Sequence, residues 1–181
     1  ILSLSRVNIS PHGLQAIGAH SKRLQKVDLS HSTFLTDDHL GSIASNMIFL
    51  RALNISNCQK VTDKGVICVC KTLLKMNELY LDNLPMLTSK TISAILSSLK
   101  GLKVLSLVGS MQNMSDEVFE NLIIQMKTLV SLKIPGCKKI TNYTFQSLVE
   151  KHVLYGPKPT GGLPNLVLLE ISDNKHVDDM T

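Results

Sequence analysis

Tryptophan is absent from the 181-residue chain, and aromatic residues make up only 4% of it. A surface that stacks successive nucleobases needs exposed rings, so the shortage argues against single-stranded nucleic acid as a ligand. Charge is sparse too: Asp, Glu, Lys and Arg together are 18% of residues, and no run of basic residues exceeds two. The net charge of +5 therefore comes from scattered lysines and arginines, which is no footprint for nucleic acid. No apolar stretch approaches the roughly 20 residues that cross a bilayer, because Lys, Asp, Asn and Ser interrupt it repeatedly. Neither nucleic acid nor membrane is expected as a partner.

Chemical machinery is equally scarce. The six histidines, His12, His20, His31, His39, His152 and His176, show no metal-ligand spacing and no adjacent nucleophile. Gly161-Gly162 lacks the strand, helix and lysine that make a phosphate loop. Cys68 and Cys70 are two apart on a predicted helix, so their side chains point about 200° from each other and cannot chelate one ion. No catalytic set, metal or cofactor is expected. Cys58, Cys68, Cys70 and Cys137 lie inside the pattern described next, which fits reduced structural thiols in cytoplasm or nucleus. The sequons starting at Asn8, Asn54, Asn113 and Asn142 are discounted, since Asn54 falls in a predicted strand.

What the chain does contain is repetition. An L-x-x-L-x-L pattern recurs at Leu24/Val27/Leu29, Leu50/Leu53/Ile55, Met76/Leu79/Leu81, Leu102/Leu105/Leu107, Leu129/Leu132/Ile134 and Leu166/Leu169/Ile171. The starts advance by 26 three times, then by 27 and by 37. A fixed period of this length is a solenoid signal. Each unit begins with apolar and polar residues alternating and ends with apolar residues at helical spacing, as in Val66, Val69, Cys70 and Leu73. Leu40, Ile43, Ala44, Met47 and Ile92, Ile95, Leu96, Leu99 repeat that register in the units on either side.

Thr36-Asp37, Thr62-Asp63, Thr88-Ser89, Ser115-Asp116 and Thr141-Asn142 stand where helices should start, as caps. Ser10 followed by Pro11 signals the same in the first unit. The expected fold is α/β: a leucine-rich repeat solenoid, a right-handed β/α horseshoe with parallel strands on the concave face and helices on the convex face. It forms a single domain over 1–181, with units at 1–23 (partial), 24–49, 50–75, 76–101, 102–128, 129–165 and 166–181 (partial). One extra residue falls near Gln112-Asn113, and an inserted loop spans 151–165. The chain reads as a fragment of a longer protein.

Strand positions that face away from the helices, with the residues just after them, define the surface such a horseshoe presents. They nominate Lys26, Asp28, His31, Asn54, Asn57, Glu78, Tyr80, Asp82, Asn83, Ser106, Lys133, Glu170 and Asp173 as protein-binding residues. Five acids oppose two lysines there, so the inner surface is mildly acidic and a phosphate backbone is disfavoured. Tyr80, between Glu78 and Asp82, is the aromatic anchor candidate. Lys60, Lys138, Lys139 and Lys175 line the turn side and read as solvated surface.

LRALNISNCQKVTDKG and LVSLKIPGCKKIT resemble the cysteine-containing leucine-rich repeat subfamily, as found in F-box/leucine-rich repeat proteins. LPNLVLLEISDNKHVDD is similar to the last repeats of the zyg-eleven/zer-one type receptors of cullin-RING ligases. The resemblance implies a non-catalytic protein-binding module, the substrate-recognition part of a cullin-RING E3 ubiquitin ligase receptor. It would be a monomeric domain in cytoplasm or nucleus whose ligase adaptor binds through flanking regions. The alternative is a scaffold or inhibitor leucine-rich repeat domain unrelated to ubiquitination.

Overall fold

The structure is a computed structural model that describes residues 1–150 and 164–172, without the side chains of 148–150. Strands and helices alternate along it: β1 (Leu2–Ser3), α1 (Pro11–His20), β2 (Lys26–Asp28), α2 (Asp37–Asn46), β3 (Ala52–Asn54), α3 (Asp63–Thr72), β4 (Glu78–Tyr80), α4 (Ser89–Ser98), β5 (Val104–Ser106), α5 (Asp116–Gln125), β6 (Ser131–Lys133), α6 (Asn142–Glu150) and β7 (Leu168–Glu170). All seven strands form one parallel sheet in sequence order. This is the α/β leucine-rich repeat solenoid that the ladder predicts. Packed helices need about 8–10 Å per neighbour and paired strands only about 4.8 Å, so the stack must curve with the sheet on its inner side.

The ladder residues account for the core. Val27, Leu53, Leu79, Leu105, Leu132 and Leu169 are in one register across the sheet, and the first five of these are buried. Helix columns meet them from the other side: Leu40, Ile43, Val66, Val69, Ile92 and Ile95 are all at most 1% exposed. Each such side chain contributes about 1.5–3 kcal/mol by leaving water, and that gain depends on the neighbouring unit being in place. Phe119 and Phe145 continue one helix column as an edge-to-face pair with centroids 6.0 Å apart.

The cysteine column lies under the turn backbone. Cys58 and Cys137 are fully buried, and their thiols donate to the carbonyls of Leu29 (3.2 Å) and Met111 (3.5 Å). Burial pushes both thiols up to about 11, and the helix thiol of Cys70 up to about 12. All three stay protonated near neutral pH and are poor nucleophiles. Ser110 fills the same column by donating to the Leu81 carbonyl (2.6 Å) and accepting from Leu84 N–H (2.7 Å), whereas the buried Ser32 hydroxyl finds no partner among the described residues.

Helix starts do more than cap their own helices. Asp37 accepts from the backbone N–H (2.9 Å) and hydroxyl (2.7 Å) of Thr62, one unit further on. Asp63 does the same for Thr88 (2.9 and 2.6 Å) and also takes the hydroxyl of Thr91 (2.6 Å). Asp116 repeats the arrangement with Thr141 (2.7 and 2.7 Å) and Thr144. The Thr-Asp dyads are therefore clamps between units. Gly65 makes one of them possible, because a Cβ there would lie 2.4 Å from the Asp37 carboxylate.

Most of the predicted inserted loop, 151–165, and all of Asp173, Lys175 and His176 lie outside the described residues. At the loop's end, the Asn165 amide donates to the Lys127 carbonyl at 3.0 Å.

Candidate functional site

The sheet's inner face is built in rows, because each strand places its first and third residues outward and the parallel register aligns them. The first row runs Lys26, Ala52, Glu78, Val104, Ser131, Leu168; the second runs Asp28, Asn54, Tyr80, Ser106, Lys133, Glu170. Ala52 decides what happens in the first row. Its methyl group, 5% exposed, leaves room for Lys26 to reach over β3 and pair with Glu78 at 2.8 Å. The pairing holds the Lys26 ammonium above its ordinary range, chiefly through the hydrogen bond it donates to the Glu78 carboxylate.

Tyr80 stands beside this pair and is half-buried. Its hydroxyl is 3.4 Å from the second Glu78 oxygen. Burial and then the Glu78 charge push the phenol above its ordinary range, so it stays a neutral donor. The ring is stiff, with two side-chain torsions, and has an apolar flank and a polar tip. A recess of about 190 Å³ opens next to it, walled by Leu2, Asp28, Ala52 and Asn54.

Charge on the face differs from a simple count. Lys133 pairs with its direct neighbour Glu170 at 3.1 Å, as Lys26 does with Glu78. Both lysines are thus neutralised locally, and among the described residues of the face Asp28 and Asp82 carry the remaining negative charge. Neither aspartate is loose. Asp28 accepts from the Ser30 N–H at 2.9 Å, and Asp82 from the Ser106 hydroxyl at 2.6 Å and the Val108 N–H at 2.9 Å. Their positions are fixed before any ligand arrives.

The structure corrects the nomination of Ser106. It is 3% exposed, and its hydroxyl is spent on Asp82, so it orients the carboxylate instead of meeting a partner. Ser30 and Ser56 are buried in the same way on the row behind, where Ser56 Oγ accepts from the Asp82 N–H at 3.2 Å. A side chain of two heavy atoms is too short to rise above the flanking Tyr, Lys and Asp side chains.

His31, Asn57 and Asn83 form a separate line at the turn edge. All three have left-handed backbone, with φ of 60°, 63° and 52°, and Gly109 and Gly136 continue the column at 67° and 81°. Asparagine tolerates this region better than most residues and glycine best. The amide of Asn83 donates to that of Asn57 at 3.0 Å. These residues serve the turn first, and of the three only the exposed His31 and Asn83 present much surface. Asn54, in the second row, accepts from the Ser56 N–H at 3.0 Å.

Sequence reasoning missed one opening. A groove of about 530 Å³ lies between the fourth and fifth units, lined by Pro85, Leu87, Ser89, Met111, Met114 and Val118. Two departures from the repeat meet there: Ser89 stands at the position of the clamp aspartates Asp37, Asp63 and Asp116, and Met111, beside the extra residue near Gln112-Asn113, is left-handed at φ 57°. Among the described residues no group of three or more His, Cys, Asp and Glu can hold a metal, and no helix is long and apolar enough to cross a membrane.

Comparison with known proteins agrees with the architecture. The family described as Leucine Rich repeat matches residues 46–70. Among solved structures, the crystal structure of the Rad7 and Elc1 complex in yeast contains a chain that superposes on 97% of this one with a TM-score of 0.63 at 18% identity. This chain spans 50% of that chain's length. At that identity the match speaks for the fold.

Proposed function

We propose that this chain is a non-catalytic protein-binding module that holds its partner on the concave face around Tyr80, as the substrate-recognition part of a cullin-RING E3 ubiquitin ligase receptor. The observation that carries the binding reading is the preparation of the Tyr80 neighbourhood: a stiff aromatic next to a recess, set between the bridged Lys26 and Glu78 and the clamped Asp82. Preset side chains lose little freedom when a partner lands, which favours a central anchor. The residual charge on Asp28 and Asp82 favours a partner segment that brings cations. Mechanism here is positioning, and the chain needs no reacting group for it.

The ligase part of the reading is supported by the repeat type, which resembles that of F-box/leucine-rich repeat and zyg-eleven/zer-one receptors, and by a fold relative that was solved in complex with a second protein. An adaptor would bind outside the repeats, and the working compartment would be cytoplasm or nucleus. The test is affinity capture with purified protein carrying Tyr80→Ala or Asp82→Lys, followed by identification of retained proteins. Capture should fall about tenfold or more for Tyr80→Ala, in the range of a hot-spot loss. A retained set indifferent to both substitutions removes the concave face from the interface. If ligase adaptors never co-purify with the intact protein, the binding module stands and the ubiquitin role falls.

A further inference from the structure

The scattered cations of the sequence are not scattered in space. Between each of the first five helices and the following strand lie five residues: 21–25, 47–51, 73–77, 99–103 and 126–130. These connections stack along one edge of the solenoid and together hold seven lysines and arginines but no aspartate or glutamate. Lys22, Arg23 and Arg51 come from the first two and Lys75, Lys100 and Lys103 from the next two, and all are exposed. The opposite edge, where helices begin, is mixed: Asp37, Asp38, Asp63, Asp116 and Glu117 accompany its lysines.

Helix C-termini point at the basic edge, and cations there are favoured by the helix dipole. That accounts for some positive charge but not for what lies among it. Ile48, Phe49 and Leu74 are 58%, 50% and 57% exposed on the same edge, in the same repeat columns as Lys22, Arg23 and Lys100. Phe49 also walls an open recess of about 390 Å³ with Lys22, Arg23 and Gln25. Large apolar side chains left in water and ringed by cations mark an interaction site.

We propose that this edge docks an acidic polypeptide segment whose carboxylates are interspersed with leucine or phenylalanine side chains. Charge complementarity selects the acidic partner, and the aliphatic pair Ile48 and Leu74 selects a polypeptide. A phosphodiester backbone offers them no apolar contact, and with Phe49 the only ring in these five connections they make no stacking platform. The concave recess beside Phe49 accepts a side chain, which a bilayer surface does not supply. This surface is separate from the concave face, so the module can hold one partner inside the horseshoe and a second along its edge.

The experiment uses the whole chain and four probes: a fluorescent peptide of interspersed glutamates and leucines, a matched peptide with serine for leucine, oligothymidylate, and phosphatidylserine vesicles. The leucine-bearing peptide should bind more tightly than the other three. The double substitution Lys75→Glu, Lys100→Glu should weaken it about tenfold or more, the range expected for desolvated charge partners. Leu74→Ser should weaken it about fivefold, as partial loss of one buried aliphatic side chain predicts. Tyr80→Ala should leave it unchanged, so the outcome is independent of the concave-face reading. Equal binding of the serine peptide, tighter binding of oligothymidylate or vesicles, or indifference to the charge reversal would each overturn the proposal.

Discussion

The joint between the third and fourth units and the joint between the fourth and fifth are made from the same repeat, yet they close differently. At the first, Asp63 takes three hydrogen bonds from Thr88 and Thr91. At the second, Ser89 occupies the aspartate position, Ser115 makes no side-chain cap bond, and a groove of about 530 Å³ separates the units. Beyond it, Asp116 restores the clamp to Thr141 and Thr144. In a solenoid each interface stands nearly alone, so a one-residue difference in a clamp is felt locally and is not averaged over the domain.

The largest effect should come from breaking the closed joint. Asp63→Ala leaves the fully buried Thr91 hydroxyl without its partner and removes two bonds at Thr88, and a loss of about 3 kcal/mol in urea unfolding is expected. A loss under about 1 kcal/mol would mean that the clamp is decorative. Gly109→Ala should cost about 2 kcal/mol, since Gly109 is left-handed at φ 67° and an added Cβ would lie 2.1 Å from the Asn83 amide oxygen. The same change at Gly136, left-handed at 81° but with open space for a Cβ, should cost less, which thermal melts of the two variants can compare.

Closing the open joint is the converse experiment. Ser89→Asp supplies the missing carboxylate opposite Ser115, and about 0.5–1 kcal/mol of stabilisation is expected, with slower amide exchange over 111–115. Unchanged exchange would show that the extra residue, and not the absent clamp, holds the groove open. The smallest effect is one of acidity. Burial raises the Asp63 and Asp116 carboxyls, but the bonds from Thr88 and Thr91, and from Thr141 and Thr144, outweigh it and hold both below the ordinary value of 3.8. A depressed carboxyl contributes stability above its unfolded pKa and loses it as pH falls through the folded one. The closed joints should therefore weaken below about pH 4, and Asp63→Asn should flatten that acid limb in denaturation measured against pH.

The same contrast separates what was legible in the sequence from what was not. Leu53, Leu79 and Leu105 announced their own positions, because a burial pattern repeated every 26 residues has one solution in which every unit covers the next. Thr62 and Thr88 were legible as caps, since capping depends on neighbours within a few residues. Their bonds to Asp37 and Asp63 were not, because those partners lie 25 residues away and come into reach only when helices stack. Ser106 was misread for a related reason: side-chain direction follows from strand alternation, but exposure depends on the height of the neighbours.

The sequence alone determined the repeat, its strand and helix columns and the burial of Cys58, Cys70 and Cys137, because each of these rests on local spacing or residue type. Tertiary structure decided the rest. Whether Lys26 reaches Glu78 depended on Ala52 lying between them, and cations that look dispersed in the chain became an acid-free edge once five connections were stacked. Electrostatic neighbourhoods form across units and are set by side-chain reach over the few ångströms between adjacent strands and helices, a distance that no single repeat encodes.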